Sequence, residues 1–250
     1  MKTRFLSLLF LLLSTILFAQ SNKLTLGLGA YTQSQPYKGA DPLIVPSPVI
    51  FYDNGIFYAR WSRFGLYFLG EKKEKTAWGF SLTVQPRTLG YKASDADYLS
   101  GMKERESTFE GGLAFSASYE KDKYIEIMLL ADLLHTNNSW IAQMEIGDTY
   151  RLGDFTFYPS FVLLYEPRKF IDYYYGVTQS EATQTRPYYA PNGGVEYGVQ
   201  TYIEYPITQK LSTLINIRYD RIPSSASDSP LCDKNYIYSG LFSLIYTFEY

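Results

Sequence analysis

The sequence predicts an all-β fold, a transmembrane antiparallel up-and-down β-barrel of about twelve strands, ten being possible, behind a secretory signal. Three observations carry this. Short segments in which apolar and polar residues alternate recur along the chain, separated by turn-rich stretches. Aromatic residues make up 18% of the sequence, with 25 Tyr and 16 Phe, as girdles at two membrane interfaces require. The last segment, Asn235 to Tyr250, sets Tyr238, Gly240, Phe242, Leu244, Tyr246, Phe248 and Tyr250 on one parity against Ser239, Ser243, Thr247 and Glu249 on the other. Successive strand residues face opposite ways, so this strand has a face too continuously apolar for water, suited to lipid and to closing a barrel against the first strand. A mean hydropathy of -0.17 fits, since only every second strand residue of a barrel need be apolar.

The elements follow in order. Residues 1–19 carry Lys2 and Arg4, then an apolar run from Phe5 to Phe18, then Ala19, the pattern of a cleaved signal. The run is shorter than the roughly 20 residues of a spanning helix. Residues 20–250 are read as the barrel. Its first strand, Lys23 to Tyr31, has Leu24, Leu26 and Leu28 on one face and Gly27 and Gly29 on the inner one. After the loop Thr32 to Pro42 comes Leu43 to Tyr52, turned at Asp53, Asn54 and Gly55 into a third strand where Phe57, Ala59 and Trp61 oppose Tyr58 and Arg60. Ser62 to Phe64 read as a turn and Gly65 to Leu69 as a short fourth strand. Ala77 to Pro86 alternates next, ahead of the long loop Arg87 to Ser107.

Phe109 to Glu120, Ile125 to Leu133, Ser139 to Tyr150 and Asp154 to Glu166 continue the pattern, with Pro159 marking a bulge because it cannot donate to a ladder. The longest loop, Pro167 to Gly193, precedes Val195 to Tyr205, Leu211 to Tyr219, a loop from Asp220 to Lys234 and the closing strand. With twelve strands every long loop falls at one end and every short turn at the other, the asymmetry of outer-membrane barrels with periplasmic turns.

Loss of the signal removes two basic residues and no acidic ones, leaving 21 basic of the original 23 against 25 acidic. No basic stripe points to nucleic acid. Cys232 has no partner for a disulfide and reads as an incidental loop residue. The sole histidine, His135, lies near Asp132 and Ser139, but Asn137 stands where a barrel phospholipase would place its serine, so His135 reads as a solvated loop residue. There is no metal-ligand cluster, phosphate loop or nucleotide motif, and no cofactor is expected. Inward parity falls on Arg60, Glu110, Glu126, Asp132, Glu145, Glu196 and Arg218, together with Glu120, Glu166 and Glu204. Two readings stand side by side: a solute path narrowed by Arg60 and Arg218, or an interior packed with hydrogen-bonded charges.

Several stretches resemble the MipA/OmpV family of outer-membrane proteins. They are Gly27-Leu28-Gly29-Ala30, Pro36-Tyr37-Lys38-Gly39-Ala40-Asp41, Pro46-Ser47-Pro48, Tyr174-Tyr175-Gly176-Val177-Thr178, Tyr189-Ala190-Pro191, Asn192-Gly193-Gly194, Ser229-Pro230 and Tyr246-Thr247-Phe248, in family order. The resemblance implies an outer-membrane barrel without enzymatic activity. It implies a scaffold that joins a murein hydrolase to a murein synthase through the periplasmic turns. A narrow channel lined by the inward acids, or an adhesin using the Tyr-rich loop Pro167 to Gly193, are the alternatives.

Overall fold

The computed structural model describes residues 23–120 and 122–249; the segment read as a signal, Lys121 and Tyr250 lie outside the described residues. The described chain forms one closed antiparallel barrel of twelve strands. They are β1 Lys23–Gln33, β2 Leu43–Asp53, β3 Phe57–Arg60, β4 Arg63–Lys72, β5 Thr76–Arg87, β6 Thr108–Tyr119, β7 Lys123–Asp132, β8 Trp140–Gly147 continued by Tyr150–Leu152, β9 Phe155–Glu166, β10 Gly194–Pro206, β11 Leu211–Arg221 and β12 Tyr236–Glu249. Each strand pairs with its sequence neighbours. The ring closes where β12 meets β1, in register from Lys23 opposite Glu249 to Gln33 opposite Ser239. A salt bridge of 2.7 Å between Lys23 Nζ and Glu249 Oε1 pins the lower end of that seam. Closure leaves no strand edge along the seam, which is what lets a sheet live in hydrocarbon.

The alternation read from the sequence is realised side chain by side chain. In β12 Tyr238, Phe242, Leu244 and Phe248 are exposed to the surroundings, while Ile237, Leu241, Ser243 and Ile245 are buried inside. Gly29 of β1 is required by the crowding of that seam: a Cβ there would lie 2.1 Å from the Phe242 carbonyl oxygen and 2.5 Å from Ser243 Cβ. Among the described residues no helix is long and apolar enough to cross a membrane.

Several local expectations change. Strand β4 begins at Arg63 and runs to Lys72, longer than the segment predicted, whereas β3 stops at Arg60. Trp61, expected to face lipid from the third strand, instead caps the β3–β4 hairpin in a left-handed conformation, φ 57°, with its indole turned inward. The irregularity announced by Pro159 lies on the facing strand: β8 breaks at Asp148 and Thr149, and Asp148 N–H reaches the Pro159 carbonyl at 3.1 Å. The loop after β9 opens with a helix, α1, Arg168–Tyr175, and the loop before β12 holds a short one, α2, Ser224–Ser227.

Those loops build a second hydrophobic core on top of the barrel. Tyr37, Leu99, Phe170, Ile171, Tyr174, Val177, Ala226 and Leu231 are almost wholly buried there, against Tyr91 and Met102. Tyr37 packs edge-on to Tyr91, ring centroids 4.6 Å apart. Three of the loop's tyrosines, Tyr173, Tyr174 and Tyr175, turn into this cap rather than outward. Cys232, read as an incidental loop residue, is 6% exposed within the same core, beside Tyr37. Burial pushes its thiol up to about 12.

Candidate functional site

The inward faces of the strands enclose a cavity of about 1090 Å³ that runs from the turns Lys73 to Lys75 up to Leu89 and Tyr175 at the underside of the cap. Its walls are of two kinds. One side is apolar: Val49, Leu214, Leu241 and Ile245 pack together with Tyr31, Phe51, Trp61 and Tyr202. The other carries charge, held in discrete groups.

Lowest among these, Arg60 at the end of β3 donates from Nη1 to Glu126 Oε1 at 3.0 Å and from Nη2 to Tyr67 Oη at 2.6 Å. The second oxygen of Glu126 takes Arg63 Nη1 at 2.5 Å, so one β7 carboxylate is shared by two guanidinium groups from the β3–β4 hairpin. Glu126 is 4% exposed, and a buried carboxylate without both partners would be costly to keep ionised. On the neighbouring strand, directly opposite Glu126, Glu145 accepts Tyr124 Oη at 2.6 Å and Gln200 Nε2 at 3.0 Å. Higher up, Arg87 grips Glu110 in a fork, Nε to Oε1 at 3.0 Å and Nη2 to Oε2 at 2.8 Å. Arg218 Nε meets Asp220 Oδ2 at 2.7 Å with Glu196 Oε1 4.0 Å from Nη2. Near them Glu166 is 3% exposed and its Oε2 has no hydrogen-bond partner.

Of the residues singled out in the sequence, Arg60, Glu126, Glu145, Glu196 and Arg218 border the cavity. Glu166 and Glu204 join them there. Glu110 stands behind Arg87, which does border it. Asp132 has a different place: at the outer rim it accepts the N–H groups of Leu134, Asn137 and Asn138 and the Thr108 hydroxyl, shaping the β7–β8 loop. Glu120 sits at the opposite end, exposed, 3.4 Å from Lys75 Nζ. His135 is a rim residue whose Nδ1 lies 3.3 Å from Asn138 Oδ1. Among the described residues no His, Cys, Asp and Glu cluster could hold a metal.

Sequence reasoning missed Arg63, Arg87 and Asp220, assigned to turns and loops, although Arg87 continues the inward parity of Gln85, and Asp220 that of Arg218. It also missed the cap's polar hub. Glu181 accepts Lys103 N–H at 2.9 Å, Thr178 Oγ1 at 2.7 Å and Arg105 Nη2 at 3.1 Å. Arg186 binds the carbonyls of Tyr98 at 2.6 Å and Glu181 at 3.0 Å. These contacts tie the loop after β5 to the loop after β9. Burial works against ionising Glu181, but the Lys103 and Thr178 donors, with Arg105, overcome it and hold the carboxyl down at about 2. The lumen cavity thus reaches the short turns at one end and the underside of the cap at the other.

The sequence matches the family described as MltA-interacting protein MipA over residues 26–248. A putative outer membrane protein YiaT from Escherichia coli K12 is 28% identical over 87% of this chain and 87% of its own. The MltA-interacting protein of the same organism is 27% identical over 91% of this chain and 90% of its own. A solved outer membrane channel from Pseudomonas putida F1 overlies 93% of this chain and 97% of its own, with TM-score 0.42 and 11% identity. The match runs from the first strand to the last, and the chain belongs to the MipA family and is an outer-membrane protein.

Proposed function

We propose that the chain is a non-enzymatic, loop-gated outer-membrane channel for small polar solutes, with a preference for cations. The observation that carries this is the 1090 Å³ cavity lined by paired charges and stopped by the cap. Acidic groups outnumber basic ones along its wall, and Glu166 offers a buried oxygen without a partner at its upper end. Planar-bilayer recording tests the reading. The intact chain should show rare, small openings, and removal of the loop segment 168–192 should give frequent, larger, cation-selective ones. A deletion variant that is folded and as silent as the intact chain would overturn it.

A second reading has its own support. The match to a protein named MltA-interacting protein favours a scaffold for a murein hydrolase and a murein synthase, docked at the short turns. Those turns offer little area, with Lys72, Lys73 and Lys75 as their most prominent cations. Photocrosslinking in cells from Lys73 and Gln209, with Thr183 in the cap as control, tests it. Recovery of a murein enzyme from the first two positions supports the scaffold, and capture of assembly factors alone removes it.

A further inference from the structure

The barrel wall is not continuous. Strand β3 has only four residues, and β2 pairs with it only from Phe51 to Asp53. Pairing of β4 with β5 starts at Phe64 opposite Val84. Above the hairpin tip at Trp61 and Ser62, therefore, Leu43 to Val49 of β2 and Gln85 to Arg87 of β5 have no strand on their facing sides. No strand fills the space between them, and it narrows towards the top, where the end of β5 comes within reach of a β1 side chain. At the top Gln33 reaches across, Nε2 to the Thr88 carbonyl at 2.9 Å, and forms a lintel. The result is a window bounded on four sides.

The backbone is adapted to leave that window unpaired. Trp61 N–H bonds the Ile50 carbonyl at 2.8 Å, so even positions of β2 direct their backbone groups towards the hairpin side. Above Ile50 those positions are Pro48, Pro46 and Ile44, and the two prolines have no N–H to leave bare. On the other bank, the Phe109 carbonyl is taken by Leu133 N–H at 2.9 Å, on the β7 side. Pro86, opposite Phe109, therefore turns its backbone away from β6 and into the window. Prolines on both banks prevent β2 and β5 from zipping together and prevent an added strand from filling the space.

The surroundings specify the occupant. Ile44 flanks the window on the outer face at 72% exposure, so hydrocarbon meets it from outside, on the cap side of the barrel. Inside lies the apolar wall of Val49, Tyr31 and Trp61, with the indole held by Ser47 Oγ at 2.9 Å. Trp61 and Pro86 both border the lumen cavity. A gap that one glutamine side chain bridges at its top is too narrow for a helix, whose diameter with side chains is roughly 10–12 Å. An acyl chain fits. We propose that the window is a lateral port through which an acyl chain of an amphiphile passes from the outer leaflet into the apolar side of the lumen, its polar end meeting Thr88, Gln33 and the Arg63–Glu126 pair. This goes beyond the channel reading and does not require that the lumen conduct.

Trp61 is the natural reporter. The full barrel carrying W78F and W140F keeps Trp61 as its sole tryptophan, and a second chain with all three tryptophans as Phe and Q143W reports from the unbroken β7–β8–β9 wall. Both are reconstituted in vesicles after heat-modifiable migration on a gel confirms folding. One arm adds a fatty acid brominated along its chain to plain phospholipid vesicles, and the other uses brominated phospholipid alone. The port predicts strong quenching of Trp61, close to that of a lipid-facing Trp140-only control, while the Q143W reporter stays bright. Quenching by the fatty acid alone assigns the occupant to free single-chain amphiphiles, and quenching by phospholipid assigns it to membrane lipid; both support the port. Trp61 as bright as Q143W in both arms, or both reporters quenched alike, overturns it.

Discussion

Replacing Glu181 with Gln should loosen the cap without touching the barrel. The carboxylate is 3% exposed and gathers Lys103 N–H, Thr178 N–H, the Thr178 hydroxyl and Arg105 Nη2. Gln keeps one acceptor oxygen and places an NH2 where a donor already points, so Arg105, 9% exposed, loses its only ion-pair partner among the described contacts. Breaking one side of a buried pair costs roughly 3–5 kcal/mol. Local opening of the cap should then become at least a hundredfold more frequent, since about 1.4 kcal/mol is tenfold. Hydrogen exchange read peptide by peptide checks it: amides of residues 98–106 and 177–189 should exchange faster by about that factor, and those of β6 and β7 should not change. Exchange in the cap within about threefold of the parent would refute the reasoning that this carboxylate staples the two loops.

Other outcomes follow from the same geometry. Because the Glu181 carboxyl is held at about 2 against an ordinary 4.5, its stabilisation of the cap is fully present above pH 4.5 and is lost as pH falls towards 2; cap protection, the intrinsic exchange rate at each pH divided by the observed one, should fall over that window in the parent and not in the Gln variant. Cys232 should resist alkylation by maleimide at pH 8 in the folded chain and react at once in denaturant, given its burial and its thiol raised to about 12. Gly29→Val would press a side chain against the Phe242 carbonyl across the β1–β12 seam, so the folded, heat-modifiable form should be lost on gels. Glu126→Ala leaves Arg63, 15% exposed, without its carboxylate and Arg60 with Asp53 alone, and should cost roughly 3–5 kcal/mol in denaturant stability.

The fold was legible because a barrel in lipid imposes a period of two on nearly every strand, and the closing strand shows that period without interruption. The parity of long and short connections favoured twelve strands over the ten that remained possible, even where β3 and β4 were faint. Trp61 was misplaced because alternation extrapolates a strand that a left-handed residue in fact ends, and no local residue announces that conformation. Arg60, Glu126 and Glu145 could be read as inward because strand parity decides it. Which arginine meets which carboxylate could not, since Arg60 and Glu126 are joined across the three intervening strands β4, β5 and β6, which only closure curls towards each other. Asp132 had inward parity yet serves a loop, because its strand ends there and the unpaired N–H groups of Leu134, Asn137 and Asn138 need an acceptor. The cap was opaque for the same reason: Glu181, Arg105 and Arg186 lie in stretches without period, and their contacts span 76 and more residues.

In the channel reading, the lumen opens among the short turns and is stopped by the loops at the other end. A single cysteine at Gln200, in a chain with Cys232→Ser, measures this when probed with a membrane-impermeant maleimide. No labelling is expected when reagent is added outside intact cells, and ready labelling when it reaches the periplasmic face. Ready labelling of the intact chain from outside would contradict it.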